Sequence, residues 1–176
     1  LERIRRVRPL VREVSDVHEA AAVALEREWP ALRPAEQEEF VTLFAELLQR
    51  AYIGQLAGRG RVADGVRVMF LNESVDGDEA TVQTALGARE GGEVLVEYRM
   101  VKREGRWRVR DLVLDGVSTV ENYRAQFRRL LRQGTYPDLV AQVRAKLAEE
   151  AIIFAPAEGR IASAPARRLA PLQIVQ

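Results

Sequence analysis

The residues able to do covalent or acid–base chemistry are few in this sequence, and their spacing does not assemble them. There is no cysteine, so thiol nucleophiles, disulfides, zinc–thiolate sites and iron–sulfur clusters are excluded together. The one histidine, His18, sits among helical charges. A histidine base or ligand needs an orienting partner, so this position reads as solvated. Gly116-Val117-Ser118 begins like a nucleophile elbow, but Val120 stands where the second glycine is required; Ser118 with Glu121 reads instead as a helix cap. Asp76, Asp78 and Glu79 around Gly77 suit a hairpin turn better than a calcium loop. No phosphate loop or dinucleotide fingerprint occurs. No catalytic residue, metal ligand or cofactor site is expected.

The bulk composition agrees with that negative result. The chain has 176 residues, which fits one domain with at most a tail. Lys and Arg number 27 against 26 Asp and Glu, a balance that argues against a nucleic-acid partner. The Arg-rich ends (Arg3, Arg5, Arg6 and Arg8, then Arg167 and Arg168) read as solvated charge, with membrane-surface contact as the lesser alternative. No run approaches the roughly 18 apolar residues of a spanning helix. Leu1 in place of Met, with no leader pattern after it, predicts a mature or trimmed chain.

Two periodicities divide the sequence. Val11, Val14, Val17, Ala21, Ala24 and Leu25 recur at helical steps, predicting a helix that starts or kinks at Pro9 and ends at Trp29-Pro30. A second helix is predicted from Pro34, with Glu36, Glu38 and Glu39 in its first turn and a broad stripe of Phe40, Leu43, Phe44, Leu47, Leu48, Ala51, Tyr52 and Leu56. Three glycines between positions 58 and 65 break it. From Val66 the period becomes two: Val66, Val68, Phe70; then Ala80, Val82, Thr84, Leu86; then Val94, Val96, Tyr98, Met100; then Trp107 and Val109. Turns at Asp76-Gly77-Asp78, Glu90-Gly91-Gly92 and Glu104-Gly105 make these a four-stranded antiparallel meander, apolar on one face and charged on the other. The phase slips at Asp111, which predicts a bulge or strand end. Helix returns from Ser118 to Gly134 with Val120, Tyr123, Phe127, Leu130 and Leu131 inward. A last helix carries Leu139, Val140, Val143 and Leu147, and an Ala/Pro/Arg-rich tail or docked arm follows Ala151, dividing the chain into residues 1–150 and 151–176.

The inward row of the sheet is uncharged and includes slim residues beside large ones. Such a row can fill a packed core or enclose a cavity. Periodicity does not register empty volume, and by pattern alone the packed core is the plainer reading.

A resemblance shifts that balance. Val96-Glu97-Tyr98-Arg99-Met100 is followed by Gly105-Arg106-Trp107-Arg108-Val109-Arg110-Asp111, then Asp115-Gly116-Val117-Ser118, leading into Asn122-Tyr123-Arg124-Ala125-Gln126-Phe127. With Trp29, the Pro34-Ala35-Glu36-Gln37 helix start, Phe40, Phe44 and Tyr52, this pattern resembles the MlaC or toluene-tolerance family, the periplasmic phospholipid-binding component of the Mla transport system. The resemblance spans about residues 10–150 and implies a carrier that moves phospholipid between an inner-membrane ABC transporter complex and an outer-membrane complex, with no catalysis and no cofactor. The energetics suit it. Two acyl tails of roughly 30 methylenes, at about 0.8 kcal/mol each, would cost on the order of 20 kcal/mol if exposed to water, so the carrier must bury them.

The expectation is therefore an α+β domain whose curved, four-stranded, mainly antiparallel sheet is wrapped by helices around an apolar lipid cavity. Its expected lining is Val68, Phe70, Val82, Thr84, Val94, Val96, Tyr98, Met100, Trp107 and Val109 from the sheet, with Phe40, Phe44, Leu47, Tyr52, Tyr123 and Phe127 from the helices. Asn122, Arg124 and Gln126 read as helix-anchoring polar groups rather than headgroup contacts. Two rivals stand beside this. A small NTF2-like or isomerase-type enzyme would need Asp111, the one strand acid near the phase slip, as its base. A non-catalytic interaction module would have its apolar faces fully packed. Within the family, a hopanoid-linked carrier is the variant reading.

Overall fold

The computed structural model describes residues 14–57, 67–87 and 93–154. Pro9, Val11, residues 58–65, Val66, the Glu90-Gly91-Gly92 turn, the Arg-rich ends and the chain beyond Phe154 lie outside the described residues.

Helix α1 spans Val17–Leu25, and its N-cap is Asp16, whose carboxylate accepts the Glu19 N–H at 3.1 Å. The expected helix through to Trp29 is shorter than the periodicity suggested. It stops at Leu25, Glu26 turns to φ 50°, and Glu26–Ala31 form a 3₁₀ segment containing Pro30. Pro30 has no N–H to give to the Glu26 carbonyl, so the α-helical ladder ends and the turn tightens. Helix α2, Pro34–Ala57, starts at the expected proline, and Glu36 reaches back to the Arg33 N–H and guanidinium at 2.9 and 2.8 Å.

The sheet is antiparallel and runs in sequence order: β1 Arg67–Asp76, β2 Glu79–Gly87, β3 Glu93–Arg103, β4 Arg106–Leu114 and β5 Val117–Ser118. The two-residue β5 corrects the expected four strands to five. It arises because Asp115 and Gly116 both take positive φ, 47° and 80°, which closes a tight hairpin just before the next helix; Glu104 and Gly105, at 50° and 76°, do the same between β3 and β4. The phase slip near Asp111 is a bulge: Arg99 faces Asp111 but Met100 faces Val109, leaving Arg110 unopposed on β4. A second bulge lies at Leu71 on β1.

Helix α3, Thr119–Leu131, follows directly, and helix α4, Tyr136–Phe154, continues past Ala151, where the sequence pattern had faded. Tyr136 donates its hydroxyl to the Glu36 carbonyl at 3.0 Å, and Arg50 donates to the Leu147 carbonyl, so α4 lies alongside α2 in the same direction.

Apolar packing forms two clusters. The larger joins the helices through Ala21, Phe40, Phe44, Leu47, Tyr123, Phe127, Leu139 and Val143. The smaller belongs to the sheet and holds Val94, Val96 and Leu114, with Leu86, Tyr98 and Leu112 beside them. Tyr52 packs against both.

Candidate functional site

Directly opposed residues in antiparallel strands share a face, so the register draws the inner surface of the sheet row by row. Val68, Leu86 and Val94 form the first row; Phe70, Thr84, Val96 and Leu114 the second. Glu73, Val82, Tyr98 and Leu112 form the third, and Val75, Ala80, Met100 and Val109 the fourth. Trp107 opposite Lys102 closes the series at the β3–β4 hairpin. Within the four rows the one charged side chain is Glu73, on the outermost strand. All ten sheet residues expected to line a cavity therefore stand on one face. Leu86, Leu112 and Leu114 share it too, Leu112 and Leu114 because the Arg110 bulge rotates the end of β4.

Coverage of this face is uneven. Val94, Val96 and Leu114 are buried under Tyr52, whereas Val68 and Phe70 are each 62% exposed. Val82, Tyr98, Met100 and Val109 are intermediate. Thr84 is buried, and its hydroxyl has no hydrogen-bond partner among the described residues. Contiguous exposed apolar surface of this kind marks an interaction surface, whether for a protein, a membrane or a ligand.

The helical residues expected in the lining are placed differently from those of the sheet. Phe40, Phe44, Tyr123 and Phe127 pack ring against ring, with centroids 5.6–5.8 Å apart, and with Leu47 they fill the helical core. Tyr52 alone of the six joins the sheet cluster. Burial pushes its phenol well above the ordinary tyrosine range, and the nearby Asp111 charge and Tyr123 add to the effect. The phenol therefore stays neutral.

Asp111 is buried, yet its carboxylate is occupied. Its Oδ2 accepts the Ser118 hydroxyl at 2.5 Å, its Oδ1 accepts the Val120 N–H at 3.1 Å, and Arg99 stands 3.7 Å away. Ser118 in turn accepts the Glu121 N–H at 3.0 Å, as a cap should. The acid that an isomerase-type reading requires is thus committed to backbone, hydroxyl and guanidinium, which removes the base from that rival. Glu121 turns its carboxylate to Arg124 at 3.0 Å, and Gln126 contacts Asn122 at 3.4 Å, so these polar groups serve the helix surface. His18 is exposed and meets Trp29 edge to face at 5.0 Å. Glu79 is held by both guanidinium nitrogens of Arg110, at 2.8 and 3.1 Å, and no cluster of metal-ligating side chains occurs among the described residues.

Among the clefts lined by described residues, two lie near the sheet. One, of about 10 Å³, lies between α1, Tyr52 and Val109; the other, of about 150 Å³, lies between α1, Arg99, Asp111 and the start of α3. A drug-sized ligand takes about 300–1,000 Å³, so neither would hold a two-tailed lipid.

The inner face of the sheet is a broad apolar surface, and the buried acid beside it is committed to structural bonds. The family model described as MlaC protein matches residues 1–145, and the chain belongs to the MlaC family, a family of non-catalytic lipid-binding proteins. No curated protein matches it by sequence. Among solved structures it is similar to the phospholipid-binding protein of Ralstonia solanacearum, determined in complex with a phospholipid. That chain shares 25% identity over 84% of each chain, with a TM-score of 0.70. No helix among the described residues is long and apolar enough to cross a membrane.

Proposed function

We propose that this protein binds a phospholipid by its acyl tails against the inner face of the sheet and carries it across the periplasm. The observation that supports this most is the graded face itself. Apolar rows run from Val94 and Val96, covered by Tyr52, out to Val68 and Phe70, which stand open. Exposing such residues has no structural benefit; covering them with hydrocarbon stabilises both partners by roughly 25 cal/mol per Å² of apolar surface removed from water. Val82, Thr84, Tyr98, Met100, Trp107 and Val109 continue the lining, and the helical aromatics form a rigid wall behind Tyr52. The family resemblance supplies the exchange partners: an inner-membrane ABC transporter complex and an outer-membrane complex.

Organic extraction of the purified protein, with mass spectrometry of the extract, tests the reading. Diacyl phospholipid near one molecule per protein is expected. A hopanoid would assign the chain to that branch of the family, and a lipid-free extract from folded protein overturns the proposal.

A further inference from the structure

We infer that the β3–β4 hairpin tip is a membrane-docking element that seats Trp107 in the interface of an anionic phospholipid surface, at the end of the apolar track; this rests on the carrier reading above. Met100 and Val109 form the last row of the inner face, and Lys102 with Trp107 the next one outward, so the same face continues onto the tip. Trp107 is 36% exposed, and the Lys102 ammonium lies 5.8 Å from its ring centroid. Between them, residues 103–106 turn in solvent.

The charge of the tip fits a negative surface. Lys102, Arg103, Arg106 and Arg108 face one acid of the same segment, Glu104. Arg103 is tied to Glu19 and Asp16 of the α1 start, which holds the hairpin in place. Lys102 and Arg106 remain exposed, and among the described residues neither has an acidic partner within salt-bridge distance. Tryptophan prefers the headgroup layer, where its ring is apolar and its N–H is wet, and nearby cations add attraction to anionic lipid. Both exchange partners of the carrier reading are membrane-embedded, so a carrier that visits them comes within reach of a lipid surface. A tip seated there would put Trp107, Val109 and Met100 in line between the membrane and the rows beneath Tyr52.

The test is flotation of the purified full chain with vesicles of phosphatidylcholine alone or with phosphatidylglycerol. Co-purified phospholipid is counted on the same preparations. Binding is expected only with phosphatidylglycerol, to weaken in high salt, and to fall at least roughly tenfold in the Lys102→Glu/Arg106→Glu variant. The phospholipid count of that variant should stay unchanged. A Trp29→Phe variant leaves Trp107 as the sole indole, and its emission should shift to the blue on phosphatidylglycerol vesicles. Failure to float on phosphatidylglycerol, or binding that the charge reversal leaves intact, overturns the inference while a normal lipid count preserves the carrier reading. Absence of lipid from every preparation would instead count against the carrier reading itself.

Discussion

Ser118 donates its hydroxyl to Asp111 across 2.5 Å, and the same hydroxyl accepts the Glu121 N–H in the first turn of helix α3. With the Val120 N–H on its other oxygen, Asp111 joins the bulged end of β4 to the positive end of the helix. Asp111→Ala is expected to cost about 1–3 kcal/mol, because it leaves a buried N–H and a hydroxyl without their acceptor. Thermal melts should show the loss, while lipid per folded molecule stays constant. Loss of lipid without loss of stability would give Asp111 a binding role.

Glu26 ties the end of α1 to α3. Its carboxylate is held below the usual range first by the hydrogen bond from Arg128, then by the charges of Arg128, Arg124 and Arg27. A depressed folded value means that the contribution is complete above the ordinary 4.5 and is lost as pH falls through the lower folded value. Glu26→Gln should therefore melt earlier than the native protein near neutral pH, and the two should converge in acid. The ion pair is partly open to solvent, so high salt should shrink the difference. A gap that widens in acid would contradict this reading.

Phe70 and Phe127 separate ligand surface from structural core. Phe127 has no exposure and sits within the aromatic cluster, so Phe127→Ala should cost about 3–5 kcal/mol. Phe70 is largely open, so Phe70→Asp should change stability by no more than about 0.5 kcal/mol. Its bound phospholipid should nevertheless fall severalfold, since a carboxylate there would have to be desolvated against the tails. Equal lipid content in native and Phe70→Asp protein would remove β1 from the site.

Thr84 carries a buried hydroxyl without a partner among the described residues, opposite Phe70 and Val96. Replacing it with the isosteric valine deletes an unpaired polar group, so Thr84→Val is expected to raise stability by about 1 kcal/mol. A lowered melting temperature would show that the hydroxyl has a bond in the folded protein.

The strands were legible because alternation and paired glycine turns are local signals: Glu104-Gly105 and the slip at Asp111 appear in the sequence as they do in the fold. The cap at Ser118 was legible for the same reason. The end of α1 was not, because Pro30 acts on a carbonyl four residues earlier and leaves the apolar spacing untouched. The division of labour among the aromatics was hidden as well. Helical periodicity marks Phe40, Phe44 and Tyr52 as one stripe, yet only packing against β3 and β4 sends Tyr52 to the sheet and leaves the phenylalanines among themselves. Alternation likewise identified the face shared by Phe70 and Val96, but whether anything lies over it depends on distant elements.

If acyl chains lie on the inner face of the sheet, a phospholipid with a diazirine near the end of one tail should photolabel that face. After exchange into the protein and irradiation, digestion and mass spectrometry locate the adducts. Adducts are expected on β3 and β4, at Val94, Val96, Tyr98, Met100 and Leu114, and at Tyr52 and Phe70, with excess unlabelled phospholipid suppressing them. Labelling confined to the solvent faces of α1 or α3, or indifferent to competitor, would contradict the assignment of this face to the lipid.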